Sequence, residues 1–135
     1  MKSSMLGLAT AILTAVGSAH ALNVSPGDAE AGATVFKRCM ACHSVGPDAK
    51  SGVGPVLNGV VGRAAGVYPG YDYSAANKNS GLTWDEPTLK TYLRAPRKLV
   101  PGTKMTFAGL SKDQDIADVI AYLNQFNAQG QKVAP

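Results

Sequence analysis

The most constraining feature of the sequence is the run Cys39-Met40-Ala41-Cys42-His43. Two cysteines three residues apart, followed at once by a histidine, have the spacing used for covalent attachment of a c-type haem. Each thiol can add to one haem vinyl group, and the two intervening residues let a single helical turn reach both vinyls. The histidine that follows then lies under the iron as the proximal ligand. We therefore expect a chain that folds around a haem.

Other uses of the same residues are less well supported. A structural zinc site needs four protein ligands, and the chain offers only Cys39, Cys42, His43 and His20. His20 lies in a segment that we expect to be removed. A redox-active dithiol would call for a strand–helix–strand context, which the surrounding sequence lacks. A disulfide would leave His43 without a role, so haem attachment is the favoured interpretation.

Residues 1–21 have the pattern of a secretory signal peptide. Lys2 supplies the positive charge, the stretch from Met5 to Val16 is uncharged, and Ala19-His20-Ala21 is a small-x-small cleavage site. The apolar stretch is shorter than the roughly 20 residues that cross a bilayer, although such segments are sometimes retained as anchors. We predict cleavage after Ala21, a periplasmic location without membrane insertion, and one domain over residues 22–135.

Charge and cysteine content agree with export. Both cysteines lie in the haem motif, so none remains for a structural disulfide in an oxidising compartment. Loss of Lys2 from the 13 Lys and Arg leaves 12 against 9 Asp and Glu, a formal charge of +3. This balance is too weak to indicate a nucleic-acid partner, but it allows local basic patches that matter for docking.

The second axial ligand is predicted by elimination. Residues 22–135 contain two methionines, and Met40 lies between the anchoring cysteines, where it cannot reach the far haem face. Met105 follows a Pro101-Gly102 turn, which opens an irregular loop that could bring its side chain over the iron. A lysine ligand, an empty position, or a packing role for Met105 are the alternatives.

A histidine–methionine pair indicates electron transfer. A thioether stabilises ferrous over ferric iron and raises the reduction potential. Burial of the iron also disfavours the extra positive charge of the ferric state. With both axial positions filled, no site remains for oxygen, peroxide or a substrate, so we expect an electron carrier and not an enzyme.

The rest of the sequence predicts an all-α protein with long loops. Hydrophobic spacing, capping residues and helix-terminal charges predict four helices. The region from Ser44 to Gly70 is rich in Gly and Pro and predicts a surface loop. Gly32 predicts a close backbone contact, with the last helix as its partner. The predicted helices are Asp28 to Arg38, Ser74 to Asn79, Glu86 to Arg94 capped by Asp85, and a last helix that follows a capping box at Ser111 to Gln114 and carries the stripe Ile116, Val119, Ile120, Leu123 and Phe126.

Seven motifs, in one order and spacing, resemble the class I c-type cytochromes, and most closely the bacterial cytochromes c2, over Gly27 to about Phe126. The resemblance implies the cytochrome c fold, with three main helices plus short helices and long loops wrapped around one covalently bound haem c. The motifs are Cys39-x-x-Cys42-His43, Gly54-Pro55-x-Leu57-x-Gly59, Gly62-Arg63, Tyr73-x-x-Ala76-Asn77-Lys78-Asn79, Gly81-Leu82-Thr83-Trp84, Pro101-Gly102-Thr103-Lys104-Met105 and Ile120-Ala121-Tyr122-Leu123.

The resemblance also implies roles for residues around the haem. The Pro55 carbonyl would accept a hydrogen bond from His43 Nδ1. Tyr73 and Trp84 would donate to a buried propionate, and Arg63 would offset its charge. Further residues would surround Met105 and an internal water, or cover the exposed haem edge: Asn77, Tyr92 and Thr103 in the first role, Phe107 in the second. Gly32 and Val119 match the place where the terminal helices cross.

Five basic residues match positions around the solvent-exposed haem edge: Arg38, Lys50, Arg97, Lys98 and Lys104. The acidic residues of the last helix, Asp113, Asp115 and Asp118, are expected to lie away from that edge. A dipolar monomer of this kind would steer onto acidic patches of its redox partners. The resemblance implies electron transfer from a cytochrome bc1 complex to a photosynthetic reaction centre or a terminal oxidase. An enzyme with a labile sixth ligand, or a protein dedicated to one periplasmic dehydrogenase, are the alternatives.

Overall fold

The computed structural model describes residues 24–134, so the predicted signal peptide, residues 1–21, lies outside the described residues. Within the described part there are five helices and no strand, only isolated bridges that pair Ala64 with Thr83 and Phe126 with Lys132. This agrees with the predicted all-α class. The helices are α1 (Ala29–Phe36), α2 (Ala75–Lys78), α3 (Glu86–Arg94), α4 (Pro96–Leu99) and α5 (Asp113–Asn124).

Helix α1 is two residues shorter at its C-terminal end than the sequence predicts. The Asp28 carboxylate caps its start by accepting hydrogen bonds from the amides of Glu30 at 2.8 Å and Ala31 at 3.1 Å. The amides of Lys37, Arg38 and Cys39 bond to carbonyls three residues back instead of four; for example, the Cys39 amide donates to Phe36 O at 2.7 Å. This tightening ends the α-helix and begins the turn that carries the cysteines.

The predicted capping box at the start of α5 is wrong. Lys112 occupies the capping position, and no side chain accepts a hydrogen bond from the first turn. Gln114 instead donates to Asp118 Oδ1 at 2.9 Å and to Ser25 O at 3.3 Å. Its side-chain amide thus bonds within α5 and to a residue far away in the sequence, while Asp113 and Asp115 still place negative charge at the positive end of the helix dipole.

Helices α1 and α5 cross at Gly32, as the sequence predicts. A Cβ atom on Gly32 would overlap the backbone carbonyl of Asp118 and lie 2.8 Å from the Tyr122 Cβ. Close backbone approach at this point lets Phe36 and Tyr122 pack with ring centroids 5.2 Å apart. The crossing holds the two ends of the domain together, and Val119 is almost completely buried beside it.

The remaining elements position the loops around the middle of the molecule. Helices α2 and α3 have the predicted locations, with Ser74 and Asp85 as caps, whereas the short helix α4 was not predicted. The long loop is held by backbone hydrogen bonds, including Gly62 N to Trp84 O and Ala65 N to Leu82 O, both 2.8 Å. No helix within residues 24–134 combines the length and hydrophobicity needed to cross a bilayer.

The Asp85 cap of α3 is expected to make the stability of the fold depend on pH. Asp85 accepts a hydrogen bond from the Thr88 amide at 2.9 Å, and its interactions with Thr88 hold the pKa of the carboxyl below its ordinary value. A carboxyl with a depressed folded-state pKa stabilises the fold above its unfolded pKa, and this contribution is lost as the pH falls through the folded value. We expect Asp85→Ala to lower the unfolding temperature at neutral pH.

The difference between Asp85→Ala and the wild-type protein should shrink as the pH falls through the folded-state pKa of Asp85. Thermal unfolding followed by circular dichroism between pH 2 and pH 7 measures this, with Asp85→Asn as the control because asparagine also caps helices. A destabilisation that is the same at every pH would contradict a role for the ionised carboxylate.

Candidate haem-binding site

The structure brings most of the predicted haem-site residues together in one cleft. Cys39, Cys42 and His43 line this cleft, and so does Met105. Three helices supply its apolar wall: Phe36 from α1, Leu89 and Leu93 from α3, and Val119 and Leu123 from α5. Also lining the cleft are Pro55, Arg63, Tyr73, Asn77, Trp84, Tyr92, Thr103 and Phe107.

The two cysteines and the histidine lie on one turn of the backbone. The Cys42 amide donates to Cys39 O at 3.1 Å, and the His43 amide donates to the same carbonyl at 2.9 Å. Both thiols are half-buried and form no disulfide. Burial raises the pKa of the Cys39 thiol, an effect that the nearby Arg38 opposes. The turn therefore presents two thiols and one imidazole to the same cleft.

The imidazole of His43 is held in one orientation. Its Nδ1 lies 2.7 Å from the carbonyl oxygen of Pro55, so Nδ1 carries the proton and Nε2 keeps its lone pair. A Cβ on Gly54 would lie 2.5–2.9 Å from three ring atoms, so only glycine leaves room for the ring. Burial lowers the pKa of His43, although the hydrogen bond to Pro55 opposes this shift. The neutral form, which can bind a metal, is favoured.

The sulfur of Met105 is also held by hydrogen bonds. The Tyr92 hydroxyl donates to Met105 Sδ at 3.3 Å and lies 3.4 Å from Thr103 Oγ1. The Met105 amide donates to Thr103 Oγ1 at 3.2 Å. Thr103 follows the predicted Pro-Gly turn, in which Gly102 has φ +89° and the Thr103 amide donates to Val100 O at 3.1 Å. Burial raises the pKa of Tyr92, so its hydroxyl remains a donor.

The hydrogen bond from Tyr92 to the Met105 sulfur can be tested with the substitution Tyr92→Phe. The substitution keeps the ring, which packs on Trp84 with centroids 4.6 Å apart, and removes only the hydroxyl. Without that donor the sulfur becomes a better electron donor, so we expect the reduction potential of the haem-loaded protein to fall by tens of millivolts, a small part of the roughly 0.8 V that axial ligation spans.

A redox titration measures the change in Tyr92→Phe. Tyr122→Phe is the matched control because Tyr122 is absent from the residues that line the cleft. An equal potential in wild-type protein and Tyr92→Phe would show that the hydroxyl has no influence on the sulfur.

Arg63 enters the cleft with its guanidinium partly bonded. Its Nη1 donates to Asn58 O at 2.9 Å and its Nη2 to Val56 O at 3.2 Å, whereas the buried Nε has no partner among the described residues. Burial lowers the pKa of Arg63, an effect that the hydroxyl groups of Tyr73 and Tyr68 oppose. The Tyr73 hydroxyl accepts a hydrogen bond from the Tyr68 amide at 3.2 Å, which leaves its own proton free to donate.

The buried donors and the apolar wall of the cleft fit a bound haem. The Nε of Arg63 is a buried donor, and the Oδ1 atom of Asn77 is a buried acceptor; neither has a hydrogen-bond partner within residues 24–134. Each such group costs about 1–3 kcal/mol if it stays unpaired. A haem would bring propionates for the donors and an apolar ring for the wall, while the thiols, the free Nε2 of His43 and the Met105 sulfur match its attachment chemistry. The donor set therefore suits this cofactor.

Sequence reasoning missed two residues that shape the cleft. Tyr71 lines it, donates to Val53 O at 2.8 Å, and packs edge-on against Tyr73 with centroids 4.8 Å apart. Its position two residues before Tyr73 could have indicated this, because alternate residues of an extended segment point the same way. The role of Gly54 against the His43 ring had no signal beyond its place before Pro55.

The five predicted docking residues differ in whether they line the haem cleft. Arg38 and Lys104 line the haem cleft, whereas Lys98 lines a separate cavity beside Lys90 and Arg94. Lys50 and Arg97 are exposed but line neither.

The acidic residues of α5 are not all remote from the cleft. Asp115 lies 3.9 Å from Arg38, one of the predicted docking residues, so not every acid of α5 lies apart from those residues. Asp113 pairs with Arg94, and Asp118 is buried, where it accepts from the Asp28 amide at 2.9 Å.

Comparison with known proteins gives one consistent result. The family model described as cytochrome c matches residues 29–127. A cytochrome c2 of Rhodoblastus acidophilus is 60% identical over 106 residues, which cover 78% of this chain and 99% of that protein. A cytochrome c-554 of Methylosinus trichosporium is 50% identical over 133 residues, 98% of this chain and 99% of the relative. The solved structure of cytochrome cH from Methylobacterium extorquens superposes with a TM-score of 0.70 at 52% identity, covering 73% of this chain and 99% of the other.

Proposed function

The chain belongs to the cytochrome c family, and from this premise we propose that it is a periplasmic carrier of single electrons that uses one haem ligated by His43 and Met105. Family membership confirms the resemblance to the class I c-type cytochromes, the cytochrome c fold and the covalently attached haem c. It also confirms the prediction of an electron carrier and not an enzyme.

The observation that carries the proposed ligation is the way in which the chain holds both ligand atoms. The Pro55 carbonyl accepts a hydrogen bond from His43 Nδ1 at 2.7 Å, which leaves Nε2 free to bind a metal. Tyr92 donates to the Met105 sulfur at 3.3 Å. Both side chains line one cleft, and each is restrained by a hydrogen bond within the protein, as is expected when little ligand movement is to accompany a change of charge.

The surrounding residues have proposed roles that follow from their positions. Cys39 and Cys42 would form the two thioethers, and Arg63 and Tyr73, with free donor capacity in the cleft, would bind the propionates together with Trp84. When bound, the haem supplies a couple that exchanges one electron at a time. The apolar wall from α1, α3 and α5 excludes water and so favours the less charged oxidation state of the site.

The test of this proposal is an optical spectrum and a redox titration of the purified, haem-loaded protein. We expect the ferric form at neutral pH to have the weak red charge-transfer band of methionine ligation and to bind azide poorly. Absence of the band together with ready azide binding would exclude Met105 as a ligand and leave the iron with an open coordination position.

We propose membrane redox complexes as the partners, a cytochrome bc1 complex as the donor and a reaction centre or terminal oxidase as the acceptor, met by the monomer through brief electrostatic docking. Support comes from five exposed basic residues, of which Arg38 and Lys104 line the cleft. Two of them are partly neutralised, Arg38 by Asp115 and Lys104 by Asp72. Electrostatic attraction of the partner would then come mainly from three basic residues for which no ion pair is found among the described residues: Lys50, Arg97 and Lys98.

This arrangement predicts a salt-dependent rate. We expect the second-order rate constant for electron transfer to an acidic partner to fall as ionic strength rises, because the Debye length shrinks from about 10 Å at 0.1 M to about 3 Å at 1 M salt. Stopped-flow kinetics measure it. Arg97→Gln and Lys98→Gln should flatten the salt dependence, whereas Lys132→Gln, whose ammonium lies 5.8 Å from the centre of the Phe126 ring, is the control. A rate that does not depend on salt would rule out steering.

A further inference from the structure

One side-chain contact joins the two loops that border the cleft. The ammonium of Lys104 donates to the backbone carbonyl of Asp72 at 2.6 Å and to its carboxylate Oδ2 at 3.1 Å. The two residues are 32 positions apart in the sequence. The other carboxylate oxygen, Oδ1, lies 3.8 Å from the ammonium of Lys78. Both oxygens of Asp72 therefore face cations.

The contact is placed where it can control the opening of the cleft. Asp72 lies between Tyr71 and Tyr73, and both tyrosines line the cleft. Lys104 also lines the cleft and directly precedes Met105, the proposed ligand. The contact therefore joins two segments that line the cleft. Asp72 is adjacent in sequence to Tyr71 and Tyr73, and Lys104 is adjacent to Met105.

Few other polar contacts hold the loop of residues 101–107. The Thr103 amide bonds to Val100 O, and the Met105 amide bonds to Thr103 Oγ1, but both bonds are local. Within residues 24–134, every hydrogen bond and ion pair between this loop and residues 68–73 joins Lys104 to Asp72. Loss of this contact would leave the loop held by local bonds, by the Tyr92 hydroxyl and by apolar packing.

We propose that Asp72 is a positioning residue: it clasps Lys104 and so keeps the loop that carries Met105 closed over the cleft, an inference that rests on the proposed methionine ligation. The Asp72 side chain is 87% exposed, so the clasp is weak and sensitive to salt. A weak clasp permits the loop to open, and it sets how often the methionine leaves its place.

Amide hydrogen exchange at Thr103 and Met105 in the haem-loaded protein tests the clasp. The loss of an exposed ion pair should make these amides exchange about two- to five-fold faster in Asp72→Asn than in the wild-type protein. Asp72→Glu should restore slow exchange because it keeps the charge. Lys104→Ala should have a larger effect, since it also removes the bond to the Asp72 carbonyl. High salt should accelerate exchange in the wild-type protein toward the rate in Asp72→Asn.

Glu86→Gln is the matched control, because Glu86 forms an exposed ion pair with Lys90 at 2.8 Å within α3, and neither residue lines the haem cleft. It should leave exchange at Thr103 and Met105 unchanged. A second readout is the affinity of imidazole for the ferric protein, since imidazole must displace Met105. That affinity should rise about two- to five-fold in Asp72→Asn and stay unchanged in Glu86→Gln.

Equal exchange rates in Asp72→Asn and the wild-type protein would overturn the clasp. So would an acceleration of the same size in Glu86→Gln, because the effect would then follow from any lost ion pair. Failure of the methionine ligation would have a different signature, which is the absence of the weak red band from the wild-type protein itself.

Discussion

Replacement of Met105 by alanine is expected to lower the reduction potential by roughly 0.2 V, a quarter of the ~0.8 V that axial ligation spans in haem proteins. The thioether stabilises the ferrous state, and alanine offers no ligand in its place. The vacated position should also let the ferric protein bind azide at neutral pH. A redox titration and an azide titration followed by absorbance measure the two effects.

Met40→Ala is the matched control for this experiment. Met40 is the other methionine of residues 22–135, and its side chain is exposed to solvent between the two cysteines. Its replacement should leave both the potential and azide binding unchanged. If Met105→Ala behaves like Met40→Ala, then Met105 does not ligate the iron, and the proposed carrier with two protein ligands is excluded.

Gly32→Ala is expected to destabilise the haem-loaded protein by about 3 kcal/mol, the upper range for overpacking of a close contact. Alanine would favour the helical conformation of α1 by up to about 1 kcal/mol, but its Cβ would overlap the Asp118 carbonyl of α5. Backbone atoms on both sides of the contact leave little room for adjustment. The steric cost therefore outweighs the gain in helix propensity. Denaturant unfolding at equilibrium measures the difference.

Gly52→Ala provides the comparison. A Cβ at this position would meet nothing closer than Cys42 O at 4.0 Å, so we expect a change of stability within about 0.5 kcal/mol. Similar stabilities for Gly32→Ala and Gly52→Ala would mean that α1 and α5 can separate without loss, and the crossing would not be a main support of the fold.

Much of the fold follows from local sequence patterns. Three predicted helix starts agree with the structure to within one residue, and Asp28, Ser74 and Asp85 are the caps there, although only Asp85 was predicted as a cap. Each of these side chains bonds to amides only two or three residues ahead, so the signal is local. The capping box at Ser111 fails for the opposite reason. The side chain of Gln114 has partners at Ser25 and Asp118, and the contact with Ser25 spans 89 positions that no local pattern reports.

The site shows the same division between local chemistry and tertiary contacts. By themselves, the residues of the chain determined the cofactor, since two thiols and an imidazole on one turn suit little besides a c-type haem, and elimination left Met105 as the candidate for the other ligand. The tertiary structure decided what surrounds those ligands: Gly54 against the imidazole, Tyr71 in the wall, Asp115 beside Arg38 and Asp72 on Lys104. Haem attachment depends on a few neighbouring residues, whereas these contacts join segments that only the packing of helices and loops brings close together.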